Sequence, residues 1–282
     1  MKQKMQFAAR LAMVLTAVVW FSACKDGVKL RGLGASGNIE FEQIESHLSN
    51  EQCQADVFAD YPFGGNNEVL VEAVREWIKG QLNDSYTGDL NDGQALLDYS
   101  VKAFVEETTM DESDWAVITE GLWGAEIKST RSDSIYVRYE CDAYITLMNA
   151  STSYGAGAAH GMYGYFGVTL RKSDGEQITW DMFKETDSRL FQALLENGLR
   201  EYFEIDDSED LNEYLLLEFY GESDDIPLPK NPPVLTADGV EFIYQPYEIA
   251  SFAAGILTFV VSYEHIKPFM KTSLRKLIEG EK

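Results

Sequence analysis

Histidine and cysteine are scarce, with three of each in 282 residues. His47, His160 and His265 form no H-E-x-x-H motif, and none lies beside a cysteine pair at zinc spacing. That excludes the common zinc centres and leaves a structural role as the simpler reading for each histidine. A G-x-S-x-G elbow is absent, which removes the nucleophile of the α/β-hydrolases. The segment Gly155-Ala156-Gly157-Ala158-Ala159-His160 approaches a dinucleotide fingerprint but lacks the third glycine. Strand-like sequence follows it, where a helix N-terminus must meet the pyrophosphate. Asp89-Leu90-Asn91-Asp92-Gly93 begins like a calcium loop, yet its glycine comes one position early and Ser100 stands where the closing glutamate belongs. No catalytic residue, metal site or cofactor is therefore assigned. Paired carboxylates for glycan hydrolysis stay open as an alternative, because their spacing is spatial rather than sequential.

Positive charge is also in short supply: 23 Lys and Arg stand against 47 Asp and Glu, a net charge of −24. Such a surface repels nucleic acid phosphates and anionic headgroups and attracts a basic protein, a polycation or divalent ions. The simpler reading is solubility alone. Long apolar runs are missing except at the N-terminus. There Lys2, Lys4 and Arg10 precede Leu11–Ala23, which ends in small residues before Cys24. This basic, apolar, small-residue order reads as a secretory signal over 1–23, too short at about 13 apolar residues to span a bilayer. It resembles a bacterial lipoprotein signal, with Phe21 where leucine is usual. The resemblance implies that Cys24 becomes the acylated N-terminus. Removing the signal takes three bases and no acid, leaving 20 bases against 47 acids, or −27. Several acyl chains would anchor the protein stably in a membrane. Lys25 and Asp26 after the cysteine resemble exported lipoproteins of the Bacteroides group. The expected location is the cell envelope, on the periplasmic or surface side of the outer membrane.

Cys53 and Cys141 remain, an even pair in an oxidising compartment. They form a disulfide, or they are two buried thiols.

The glycine-rich stretch 24–38 reads as a tether, with ordered structure from Ile39. Cys53, Ala55, Val57 and Ala59 alternate as a strand does. Asn66-Asn67 cap a helix over about 67–82, and a second helix follows Asn91-Asp92-Gly93 with Leu96, Leu97, Val101 and Val105 on its apolar face. From Trp115 to Leu147 the pattern predicts strands. A strand over 162–170 turns at Ser173-Asp174-Gly175 into a short return strand near 177–179. Helices are expected over 187–203 and 208–219, a rigid proline loop over 227–233, a hairpin at Ala237-Asp238-Gly239, a strand over 256–261 and a helix over 273–279. Strands joined by hairpins and interleaved with helices predict an α+β fold of antiparallel sheets and packed helices.

Two stretches carry a family resemblance. Tyr154-Gly155-Ala156-Gly157-Ala158-Ala159-His160-Gly161 continues through Phe166–Leu170 and Gly175–Phe183. The second stretch is Gly239-Val240-Glu241-Phe242-Ile243-Tyr244-Gln245-Pro246-Tyr247-Glu248-Ile249-Ala250-Ser251-Phe252-Ala253-Ala254-Gly255. Together they resemble the extracytoplasmic domain family typified by the ectodomain of the lysozyme-sensing anti-sigma factor RsiV, here with Ala158 where that family has glycine. The resemblance covers about 150–270 and implies two related or interlocked α/β subdomains, 39–148 and 149–282. It also implies a binding or sensing module whose ligand is lysozyme or peptidoglycan. Tyr154, His160, Tyr247 and Glu248 are the candidate ligand-binding residues, since aromatic side chains give large contact area at low entropic cost. The competing reading of His160 is structural, and that of Tyr247 is core.

Overall fold

The computed structural model describes residues 39–121, 128–216 and 225–280. The expected signal, Cys24 and the tether lie outside them. Among the described residues no helix is long and apolar enough to cross a membrane. The fold is α+β, with a five-stranded sheet and a three-stranded sheet.

β1 (Ile39–Ser49) and β2 (Cys53–Gly65) form an antiparallel hairpin. α1 (Glu68–Leu82) starts where Asn67 accepts a hydrogen bond from the Leu70 N–H at 3.1 Å. α2 (Gly93–Thr108) starts the same way, with Asp92 accepting from Ala95 N–H at 3.0 Å. Each cap satisfies an amide that the first helical turn leaves open. Leu70, Val74, Ile78, Leu96 and Leu97 then pack against Ala55, Val57 and Ala59 in a first core.

α3 (Glu112–Gly121) occupies part of the stretch expected as strand. The Asp111 carboxylate accepts from the N–H groups of Ser113 and Asp114, both at 3.0 Å, and so starts a helix that alternation alone did not reveal. β3 (Ser129–Glu140), β4 (Tyr144–Tyr154) and β5 (Met162–Arg171) complete the large sheet in the order β1-β2-β3-β4-β5. One pair departs from the antiparallel expectation: β2 and β3 run parallel, in register from Cys53 opposite Ser129 to Ala59 opposite Ile135. The helical excursion between them supplies the long crossover that a parallel pair needs.

α4 (Arg189–Phe203) packs on the small sheet of β6 (Val234–Leu235), β7 (Gly239–Tyr244) and β8 (Leu257–Ser262). A Cβ on Gly198 of α4 would fall 2.1 Å from the Phe259 ring, so the close approach requires glycine there. α5 (Tyr263–Ile266) and α6 (Thr272–Glu279) end the chain. The helix expected over 208–219 is a single 3-10 turn at Leu211–Glu213, and residues 217–219 lie outside the described residues.

The expected boundary at 148/149 falls inside β4, which is buried on both faces from Tyr144 to Asn149. Ile145 and Leu147 belong to the first core, Tyr144 to the second, and Met148 packs with Val234 and Ile243 in a third cluster between the sheets. Threonines fasten the sheets together. Thr146 Oγ1 donates to Leu235 O at 2.7 Å, and the Leu235 N–H donates to Thr169 Oγ1 at 2.9 Å. Tyr263 and Tyr144 share the Thr236 carbonyl, and burial pushes the Tyr263 phenol up to about 12.

The expected disulfide is not formed; Cys53 and Cys141 are both free. Cys53 begins β2 level with Ser129, while Cys141 follows the other end of β3. At about 3.3 Å per residue the two lie on the order of 35–40 Å apart, far beyond the roughly 7 Å limit for Cα atoms of a disulfide. Cys53 instead sits beside the Thr108 hydroxyl at 3.1 Å.

Candidate binding site

The two stretches that carry the family resemblance meet in space. The first forms the end of the β4–β5 hairpin. Its loop is closed by Ala158 N–H donating to Gly155 O at 2.9 Å and by Tyr154 Oη donating to Ala158 O at 3.1 Å. A strand follows it, in agreement with the sequence and against dinucleotide binding. The His160 Nδ1 lies 2.9 Å from Gly161 O. A carbonyl can only accept, so Nδ1 carries the proton and Nε2 is the acceptor of the neutral ring.

The second stretch leaves β7 through the turn Gln245-Pro246-Tyr247-Glu248, in which Glu248 N–H donates to Gln245 O at 3.0 Å. Pro246 stands second in this turn and Tyr247 third, with φ +66°. That is the pattern of a type II turn, whose third position normally takes glycine or asparagine. A tyrosine held there costs about 1–3 kcal/mol of backbone strain. The Glu248 carboxylate, only 5% exposed, holds the turn from beneath. One oxygen accepts from Gln245 N–H at 2.7 Å and the other from Lys230 N–H at 2.6 Å. The Gln245 side chain reaches the edge of β5, donating to Tyr165 O at 2.7 Å and accepting from Tyr165 N–H at 3.0 Å. It satisfies the strand edge as a further strand would.

Beyond the turn, Phe252 opens a 3-10 turn, Phe252–Ala254, that ends at Gly255 with φ +86°. Phe252 is the hub of the surface. Its ring centroid lies 4.2 Å from His160, 5.1 Å from Tyr163 and 5.4 Å from Tyr247. Tyr163 Oη donates to Phe252 O at 3.3 Å and Tyr202 Oη to Ala254 O at 2.7 Å, so two hydroxyls hold this turn by its carbonyls. Burial raises the Tyr163 phenol above its ordinary pKa, keeping it a donor. Tyr247 is 54% exposed and His160 is exposed as well.

Of the four residues expected at a ligand, the structure brings His160 and Tyr247 onto one aromatic surface. The exposure of Tyr247 removes the reading that it is core. Tyr154 supports the loop behind that surface. Glu248 is buried with both oxygens committed to backbone amides, so it positions Tyr247. Phe252 and Tyr163 were not singled out from the sequence. The signal for Phe252 was present in its place between Tyr247 and Gly255, in a stretch too apolar for a loop.

Residues 180–264 match the family model described as "Protein of unknown function (DUF3298)". The chain carries a DUF3298 domain. It spans the small sheet, Tyr247 and Phe252, whereas His160 and Tyr163 lie outside it, so the candidate surface is assembled at the domain's join with the large sheet. The match is narrower than the 150–270 of the sequence resemblance. Among solved structures the chain is similar to a DUF3298 family member from Bacteroides fragilis, with TM-score 0.71 and 19% identity over 87% of this chain and 98% of that one. A second, from Pseudomonas aeruginosa, has TM-score 0.49 and 16% identity over 84% of this chain and 96% of that one. At such identity the first likeness speaks for the fold. The comparison with curated proteins gives no match.

Proposed function

We propose that this chain is a non-catalytic, lipid-anchored binding or sensing module of the bacterial cell envelope, with peptidoglycan or a basic protein such as lysozyme as its ligand. The observation that carries this reading is the aromatic surface of His160, Tyr163, Tyr247 and Phe252. There an exposed tyrosine is kept in a strained turn by a buried carboxylate. Strain that the surroundings over-determine points to a use for the displayed side chain. The N-terminal signal ending at Cys24 supports the membrane anchor and outer-membrane location, and the acidic composition supports attraction of a basic partner. A glycan hydrolase would need carboxylates free to exchange protons, and Glu248, the acid in this turn, has both oxygens bound.

The test is co-sedimentation of the full chain, in mild detergent, with peptidoglycan sacculi, together with capture on immobilised lysozyme. Retention on either, lost in Tyr247→Ala, is expected. Retention on neither overturns the reading. On the lysozyme arm the association rate should fall steeply with salt, as electrostatic steering requires. Cys24→Ala should release the protein from membranes or leave it unprocessed; unchanged fractionation and mobility would overturn the anchor.

A further inference from the structure

The surface lies where two charge-free segments meet. From Ala143 to Leu170, and again from Ile249 to Tyr263, the chain contains no Asp, Glu, Lys or Arg, although a quarter of all its residues are charged. The first segment carries His160 and Tyr163 and the second carries Phe252. Tyr247 stands two residues before the second, separated from it by the buried and fully bonded Glu248. A chain of net charge −24 thus presents an aromatic surface built from uncharged residues. A cationic partner is recognised through carboxylates and an anionic one through Lys and Arg; the two segments offer neither. They offer ring faces, the Tyr247 hydroxyl and the Nε2 acceptor of His160. Those groups match a ligand that is apolar on its faces, polar at its edges and uncharged.

We infer that the surface of His160, Phe252 and Tyr247 binds a neutral saccharide, whose C–H faces stack on the rings while its hydroxyl or amide groups bond to Tyr247 Oη and His160 Nε2. This rests on the reading above that the surface is a binding site, and it names the chemistry of the ligand. The turn geometry fits such a use. Stacking needs a ring fixed in orientation before the ligand arrives, since ordering it afterwards would reduce affinity. Pro246, the Glu248 carboxylate and the Gln245 clamp on Tyr165 supply that fixation.

The positive φ of Tyr247 makes the test decisive. Glycine suits that backbone position better than tyrosine, so Tyr247→Gly deletes the ring without burdening the fold. The probe is chitotetraose, a neutral β-1,4-linked oligosaccharide, titrated calorimetrically into the full chain in mild detergent. Binding is expected at micromolar to millimolar concentration and nearly independent of salt. Tyr247→Gly and His160→Ala should each weaken it about tenfold or more, and Tyr247→Gly should not lower the melting temperature. Absence of binding, or equal binding by wild type and Tyr247→Gly, overturns the inference. So does a steep salt dependence, which belongs to a charged ligand. Tyr247-dependent retention on sacculi or lysozyme without chitotetraose binding overturns the saccharide while leaving a binding module. Silence on all three overturns both.

Discussion

The two ends of the large sheet are held by different means. Over β1 and β2 the packing is aliphatic and local: two capped helices lay leucine and valine on alternating alanine and valine. Around the small sheet the packing is by rings. Phe242 stacks on Phe259 at 5.2 Å with planes 8° apart, Trp180 lies 5.1 Å from Phe242, and Phe191 meets Phe269 edge-on at 5.2 Å. The loops differ accordingly. All three non-glycine residues at positive φ among the described residues, Glu185, Glu204 and Tyr247, lie in the second region. Glu204 is the left-handed cap of α4, an ordinary place for that geometry. Tyr247 caps no helix; its turn is held by the Gln245 and Glu248 side chains, which reach backbone elsewhere in the chain, at Tyr165 and Lys230. The lesson is that locally satisfied elements give stability without defining a surface. A turn fixed from a distance against its own preference defines the surface beside it.

The largest expected effect tests whether the regions form one unit. Phe242→Ala removes a ring with no exposed surface, and its cavity should cost about 3–5 kcal/mol in urea unfolding. Because β4 contributes to all three cores, hydrogen exchange should accelerate in β1–β2 as well as in β7–β8. Loosening confined to the small sheet would break the comparison into two independent folds.

Next in size is the support of the strained turn. Glu248→Ala leaves the amides of Gln245 and Lys230 without their charged acceptor, and hydrogen bonds to charged groups contribute about 1.5–3 kcal/mol each. A loss of about 3 kcal/mol, the lower end for two such bonds, is expected in denaturant unfolding, with Glu248→Gln, which keeps one acceptor oxygen, costing less. A cost below about 0.5 kcal/mol would mean that the turn holds itself.

Much of the first region was legible because its rules are local. Asn67 and Asp92 announce helices, and alternation from Cys53 to Ala59 announces β2. Asp111 carried the same signal for α3, but the apolar residues after Trp115 outweighed it. The parallel β2–β3 pair was not legible, since alternation says which face a residue takes and nothing about strand direction. That same pairing puts Cys53 and Cys141 at opposite ends of β3, so topology keeps the two thiols from forming a disulfide. At the candidate site the sequence singled out Tyr247 and His160 by residue type but left core open for the one and a structural role for the other, because exposure depends on how the two stretches meet in space. The role of Glu248 was not legible, because it depends on where Lys230, 18 residues upstream, comes to lie.

The smallest expected effect has the opposite sign, because two causes oppose each other at Glu241 in β7. Burial raises its carboxyl pKa above 4.5, and Arg138 draws it back. Arg138 Nη2 is 3.5 Å from Oε2, on a side chain 41% exposed, and Oε2 has no hydrogen-bond partner. An acid whose pKa is raised by folding binds its proton more tightly in the native state. Stability from this group is therefore full below about pH 4.5, falls as pH climbs from there through the raised native pKa, and stays lower above it. Glu241→Gln is neutral at every pH and avoids that loss. It should be more stable than the natural chain at pH 7, with the advantage shrinking to nothing below about pH 4.5, in melting curves across that range. A variant less stable at pH 7 would mean that the ion pair with Arg138 outweighs burial. Glu241 would then be a fastener between the sheets, and the second region would owe part of its stability to charge as well as to rings.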